Sequence, residues 1–334
     1  MRTSKLAVSV LSLNAFLTFV LLCHQFATQN SQADRKNSRD HVISWPQFQN
    51  FIVPDGSKTC HVNDTSYHQL IGMEYFPNLL ETFNVPRLES PLLPRAMSKK
   101  DYDLYMRLLN LTVTVFEANN ISYTISAGGV IGSYVMHDML PWDDDLDILI
   151  HNDSKAKVIH LFKDDRHYGI QGYMNKYQMG RVIKLFFTDS EPTVNRVWNW
   201  PFLDVETYIE EGDQIRLAHR SDVERIYWPK SAYFPFHRRP FGPLWLYFPH
   251  DPAIYFKIHY NHPFYCQRHF KDHRHENWQK VIKADCERLT PHYPFVRRSP
   301  FANITQETLL LNGTELYTVY ISEPYSKPKS KLGW

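Results

Sequence analysis

Four carboxylates crowd into five residues of LPWDDDLDILI (Leu140–Ile150): Asp143, Asp144, Asp145 and Asp147. Two such charges 4 Å apart repel by about 4 kcal/mol in a protein-like dielectric. The cluster runs straight into an apolar, strand-like stretch, and Pro141 and Trp142 fix its approach, framing that a solvated acidic turn does not need. Extended backbone places Asp143, Asp145 and Asp147 on one side, with Asp144, Leu146 and Ile148 on the other. A divalent cation among the first three resolves the repulsion. An EF-hand is excluded, because Ile148 and Ser154 stand where that loop requires glycine and glutamate. Hard oxygen ligands with no cysteine nearby favour Mg²⁺ or Mn²⁺ over zinc. Such ions, held between carboxylates and a pyrophosphate, serve in-line phosphoryl or nucleotidyl transfer.

Other residues extend this chemistry. WPFLDVETY (Trp200–Tyr208) carries Asp204 and Glu206 at i, i+2, and Asp204 is the choice for a further metal ligand or a base toward an acceptor hydroxyl. The expected metal set is therefore Asp143, Asp145, Asp147 and Asp204. Gly128-Gly129 precedes a short helix, where backbone N–H groups and the helix N-terminus favour a phosphate; such a pair also simply turns corners. Lys184, and less strongly Arg181, lies between the two acidic strands and is a candidate to neutralise a donor phosphate; a lysine at a strand edge is the plain alternative. In CQRHFKDHRHEN, Cys266, His269, His273 and His275, with Cys286, form an alternative zinc set. Their spacing matches no standard finger, and Cys266 competes for a disulfide.

The elements that must position these residues follow from periodicity. Ser98 can cap a helix, with Asp101 in its first turn and Leu104, Leu108, Leu111 and Val115 as a buried stripe, closed by Asn119-Asn120. ISYTI is a strand, SAGG a turn, VIGSYVMH a short helix, LDILI a buried strand, SKAKVIHLFKD a helix, and RVIKLFF and FLDVETYI strands. This alternation predicts an α/β or α+β domain, a mixed sheet flanked by helices. RIYWP, YFPF and LWLYFP are proline-broken edge segments, and DPAIYFKIHY is a helix.

The chain has 334 residues and a net charge of +2, so no polyanion-binding footprint is present and no nucleic-acid partner is expected. Arg2 and Lys5 precede an uncharged run, Leu6–Cys23, that reaches about 27 Å as a helix, enough for an N-terminal transmembrane anchor. The basic flank orients the rest into the lumen, and a cleaved signal peptide is the competing reading. Sequons at Asn63, Asn110, Asn120, Asn152, Asn303 and Asn312 agree with a lumenal glycoprotein. Cys266–Cys286 is the expected disulfide, leaving Cys60 as a free thiol or a link in a homodimer. A glycan on Asn152 would crowd the acidic strand, so that sequon is expected to stay unmodified.

Taken together, ISYTISAGGVIGSYVMHDMLPWDDDLDILI, WPFLDVETY and RRPFGPLWLYFPHDPAIYFKIHY resemble the LicD and fukutin-type family over roughly residues 98–260. PWDDDLD is the most specific part. Gly128-Gly129 departs from the family's frequent Gly-Thr, and Tyr260-Asn261 from its Tyr-Gly. The resemblance implies a nucleotidyltransferase (polymerase-β-like) core and transfer of an alcohol phosphate, such as ribitol phosphate or phosphocholine, from a CDP-activated donor to a sugar hydroxyl of a glycan or glycoprotein acceptor. It also implies a single-pass type II protein of the Golgi membrane, with Asp145 and Asp147 as metal ligands. The organisation expected is cytoplasmic tail and anchor over 1–29, stem and extension over 30–95, catalytic domain over 96–295, and a peripheral tail over 296–334. Two rivals remain. A GT-A glycosyltransferase also combines an anchor with D-x-D, but needs a nucleotide-binding βαβ array for which too little chain precedes Asp143. A non-catalytic lumenal scaffold has no reason to keep costly like-charge contacts.

Overall fold

The computed structural model describes residues 88–164, 168–174, 182–218, 226–260, 266–268, 270–301 and 304–321. The expected anchor and stem, Cys60, Asn63, Arg181, His269 and Asn303 lie outside them. No helix among the described residues is long and apolar enough to cross a membrane.

The first helix, α1 (Lys99–Ala118), starts where Ser98 caps it: the Ser98 hydroxyl accepts from the Asp101 N–H. Asn119 closes it, and Asn120 turns the chain with a φ of 52°. Its buried face is broader than the expected stripe and rotated from it. Tyr105, Met106, Leu108, Leu109, Thr112, Val113 and Phe116 are buried, whereas Leu104 and Leu111 are half-buried. Then follow β1 (Tyr123–Ser126), α2 (Ala127–Met136), β2 (Asp147–His151), α3 (Lys155–Leu161), β3 (Ile170–Met174), β4 (Ile183–Pro192), β5 (Asn199–Glu211), β6 (Gln214–Leu217) and β7 (Tyr227–Pro229). Two points differ from expectation. Strands β3 and β6 were not foreseen, and SAGG is no separate turn, since α2 begins at Ala127 itself.

These strands form one seven-stranded mixed sheet in the order β1-β2-β5-β4-β3, with β6 pairing β5 and β7. Its one parallel pair is β2–β5. Ile148, Leu149 and Ile150 of β2 are fully buried, which suits a central strand covered on both faces. Helix α1 packs on β5.

Beyond the sheet come α4 (Lys230–Tyr233), a hairpin of β8 (His237–Phe241) and β9 (Leu244–Phe248), and α5 (Pro252–His259), capped by Asp251. Two small pairings follow, β10 (Cys266–Arg268) with β13 (Ile282–Ala284) and β11 (Lys271–Asp272) with β12 (Asn277–Trp278). The Cys266–Cys286 disulfide is formed as expected. A buried cluster of Ile131, Val135, Trp142, Leu289 and Tyr293 surrounds Cys266.

The segment expected to be a peripheral tail is integrated over its described part. Strands β14 (Phe295–Phe301), β15 (Ile304–Leu311) and β16 (Thr314–Ile321) form an antiparallel sheet whose Val296, Leu309, Val319 and Ile321 are buried with Trp245. Its Glu307, fully buried, accepts from Arg239 at 2.8 and 2.9 Å, contacts Arg298 at 2.7 Å and His137 Nε2 at 2.6 Å. His137 ends α2, and its Nδ1 meets the Tyr317 hydroxyl at 2.9 Å. Burial holds the His137 pKa down despite Glu307. The neutral ring donates from Nε2 to Glu307 and accepts from Tyr317. Polar residues in this stretch thus serve a buried ion cluster, which composition alone reads as solvent exposure.

Candidate active site

The strand register builds the site. Ser126, Asp147, Asp204, Lys184 and Tyr173 are successive cross-strand partners through β1, β2, β5, β4 and β3. Directly paired residues share a face, so Asp147 and Asp204 leave the sheet side by side. Asp145 and Asp143 lie in the irregular segment before β2, close enough for their charges to act on Asp147. Glu206, the partner of Leu149 one pleat further along β5, adds charge that acts on Asp147.

Burial, then the charge of Asp145, pushes the carboxyl of Asp143 well above the usual carboxylate range. Asp147 is raised likewise by burial, then by Asp145, Glu206, Asp204 and Asp143. Crowded, desolvated acids of this kind mark a functional site.

Asp144 is not set apart from the other acids as alternation predicts: it and Asp145 meet one residue far away in sequence, His273. Asp144 is buried, and it accepts from the backbone N–H of His273 at 2.9 Å and from its Nδ1 at 2.8 Å. The Nε2 of His273 reaches Asp145 Oδ2 at 3.2 Å. Burial opposes protonation of this imidazole, but the Asp144 hydrogen bond and the charges of Asp145 and Asp144 outweigh it and raise the pKa. Ligand atoms of Asp144, Asp145 and His273 all lie within 4.8 Å of one another, a group that fits a divalent metal. A carboxylate that fixes one ring nitrogen while the other faces a second acid is the usual setting of a metal-binding histidine.

The expected metal set of Asp143, Asp145, Asp147 and Asp204 is therefore brought to one face, but the tightest group shares only Asp145 with it. His273 entered the sequence reading only as a zinc ligand. That zinc set is not assembled: Cys266 and Cys286 are in the disulfide, and His275 pairs with Asp272 at 3.0 Å. Nothing in the local sequence links His273 to Asp144, 129 residues away.

The remaining candidates fall as follows. Lys184 is buried and grips both oxygens of Asp204, at 2.7 and 2.9 Å, with its ammonium 3.9 Å from the centre of the Phe202 ring. The antiparallel β4–β5 register puts it there, so its charge is engaged by Asp204, and a base role for Asp204 competes with that pairing. Gly128 makes room for a carboxylate: a Cβ there would come within 2.4 Å of Asp143 Oδ2. A Cβ on Gly129 would meet Ile125 and Leu146, each at 2.5 Å. Between Ser126 and Gly128, Ala127 adopts φ 45°, a left-handed conformation costly for a residue with a Cβ. Its N–H donates to Tyr255 Oη at 2.8 Å, which pins the turn.

Asn152 follows the far end of β2 from the acids. Asp147 and His151 are four residue steps apart along the strand, about 13 Å. Asn152 itself is exposed and lies beyond that end of the strand, not beside the acids. Asn110 is buried in α1, whereas Asn312 is exposed in the β15–β16 turn.

Residues 120–251 match the family model described as LicD/FKTN/FKRP, nucleotidyltransferase domain. Over 62 residues the chain is 27% identical to lipopolysaccharide cholinephosphotransferase LicD of Haemophilus influenzae, a stretch that covers 19% of this chain and 23% of that protein. The matched segment contains Gly128, Gly129, the acidic cluster, Lys184 and Asp204, and stops short of His273. With its acids held on β2 and β5, the segment 120–251 is a LicD-type nucleotidyltransferase domain by this match.

Proposed function

We propose that this protein is a metal-dependent phosphotransferase that moves an alcohol phosphate from a CDP-activated donor to a sugar hydroxyl of a glycan or glycoprotein. The observation that carries this reading is the cross-strand pairing of Asp147 with Asp204 beside Asp145, itself in contact with His273. The LicD-type segment and its cholinephosphotransferase relative support the reaction class. The carboxylate-rich set around Asp145 and Asp147, with one imidazole and no free thiol among the described residues, favours Mg²⁺ or Mn²⁺.

When bound, a divalent cation here supplies the positive charge that neutralises a pyrophosphate and its leaving group. Asp145 and His273, with Asp147 beside Asp145, would hold such a cation, and Asp144 orients the imidazole. Asp143 lies against the start of α2. Asp204 completes the anionic row, and Lys184 fixes both its oxygens. We read the core as the nucleotidyltransferase (polymerase-β-like) type. We also place the protein in the Golgi membrane, anchored by residues 6–23 with its domain in the lumen.

Strand β1 meets β2 antiparallel, so no parallel βαβ unit precedes the acids among the described residues, which weighs against a GT-A glycosyltransferase. The deciding experiment incubates the purified protein with a panel of CDP-alcohols and Mg²⁺ or Mn²⁺. Release of CMP is expected; release of UDP or GDP from nucleotide sugars instead, or no turnover with any donor, overturns the proposal.

A further inference from the structure

Tyr105 lies one turn after Asp101 on α1. Asp101 accepts from Arg274 at 2.8 Å, and Arg274 follows His273, whose ring rests on Asp144 and Asp145. The same helix packs on β5, the strand of Asp204. The first two turns of α1 therefore lie against both halves of the acidic site. Tyr105 points inward from them: it is 2% exposed, and its hydroxyl has no hydrogen-bond partner among the described residues. The charges of Asp145, Asp204, Asp147 and Asp143 all act on it, and with burial they keep the phenol protonated.

A buried hydroxyl left without a partner is costly, and native folds rarely tolerate one. This one lies within the field of four carboxylates, strong acceptors, yet donates to none of them. Its hydrogen is available to an acceptor that arrives with the ligand. Inside a carboxylate cluster a cation must accompany such an acceptor, which points to an anionic oxygen brought in with a metal.

We propose that Tyr105 Oη donates a hydrogen bond to a phosphoryl oxygen of the metal-bound nucleotide diphosphate. This rests on the reading of the site given above. Tyr105 lies outside the matched segment 120–251, so the site recruits α1 as a substrate-binding wall.

The test is Tyr105→Phe in the full chain, with two readouts: melting temperature without ligand or metal, and affinity for CDP with Mg²⁺ from ligand-induced stabilisation. A donor that meets its acceptor only in the complex predicts an unchanged or higher melting temperature together with roughly tenfold or more weaker Mg²⁺–CDP binding, the size of a hydrogen bond to a charged group. Unchanged Mg²⁺–CDP affinity in the variant overturns the assignment of Tyr105 alone. A lower ligand-free melting temperature also overturns it, because the hydroxyl then has a partner within the fold. If the wild-type chain shows no response to Mg²⁺–CDP, the donor-site reading falls and this assignment with it.

Discussion

Asp147 and Asp204 are direct partners across the parallel pair β2–β5, so two acids from strands 57 residues apart in sequence stand about 4.8 Å apart at the backbone. Backbone hydrogen bonds on both sides fix that spacing, and it does not depend on the side chains themselves. Asp147→Asn and Asp204→Asn are therefore expected to fold and to lose transfer activity by roughly 10²–10³-fold, the usual effect of removing one electrostatic contact at a reacting centre. Turnover of CDP-alcohol by the purified variants is the measurement, and near-wild-type rates would remove these carboxylates from the mechanism.

The same crowding gives a stability prediction of opposite sign. The folded-state pKa values of Asp143 and Asp147 are raised, so at neutral pH their ionised forms destabilise the metal-free protein. That penalty is full above the folded pKa and is relieved as pH falls through it. In EDTA at pH 7.5, Asp147→Asn should melt a few degrees above wild type, each ~1 kcal/mol being worth about 2–4 °C at this size. The gap should narrow on acidification and reverse when Mg²⁺ is added. A variant less stable than wild type in EDTA would contradict the account.

Asp144 and His273 should act as one unit. His273→Ala removes a ligand position and Asp144→Ala frees the ring, and each is expected to weaken Mn²⁺ binding by about 10–100-fold. The double variant should be little worse than either single one. Calorimetric titration with Mn²⁺ reads this directly, and additive losses would show that the two residues act separately.

Glu307 lies far from the chemistry, and its prediction concerns folding. Replacing it by Gln leaves Arg239 and Arg298 buried without their anion, a cost of about 3–5 kcal/mol, or about 10 °C in melting temperature. Burial opposes its charge, but Arg239, Arg298 and His137 hold its pKa well below the usual value. Its stabilisation is therefore present above the unfolded carboxylate pKa and lost as pH falls through the folded one. His137, with its pKa lowered, adds acid destabilisation that begins below about 6.5, where the unfolded ring takes up a proton. Denaturant titrations carried down to pH 3 should show wild type losing stability below about 4.3, where the unfolded Glu307 takes up a proton, and Glu307→Gln lacking that loss.

Gly128→Ala should disturb the site with little effect on the core. The added methyl would displace Asp143, so reduced activity with a nearly unchanged melting temperature is expected. Full activity would mean that Asp143 need not lie against α2.

What the sequence made legible was local. Ser98 and Asn119-Asn120 bound α1, and the LDILI run is a central strand. Asp204 was reachable too, because DVE repeats the charged-apolar-charged pattern of DLD and pattern survives without contacts. The partners of these acids were not reachable. His273 comes from a two-residue hairpin with no periodicity, Tyr105 looks like one more apolar contact on a helix, and Lys184 faces Asp204 only through antiparallel register. Strand β3 and the β14–β16 sheet were missed for a related reason: Glu307, Arg298 and Arg239 are charged residues whose burial depends on meeting one another.

The Cys266–Cys286 bond closes a loop of chain around the hairpin that carries His273. Without that closure the imidazole would hang on a long segment leading away from α5; with it, the ring is held at high effective concentration beside Asp144 and Asp145. Thiol chemistry and cation affinity are thereby coupled in one polypeptide. Reductant strong enough to open the bridge would dilute the histidine out of the site and leave the aspartates in place.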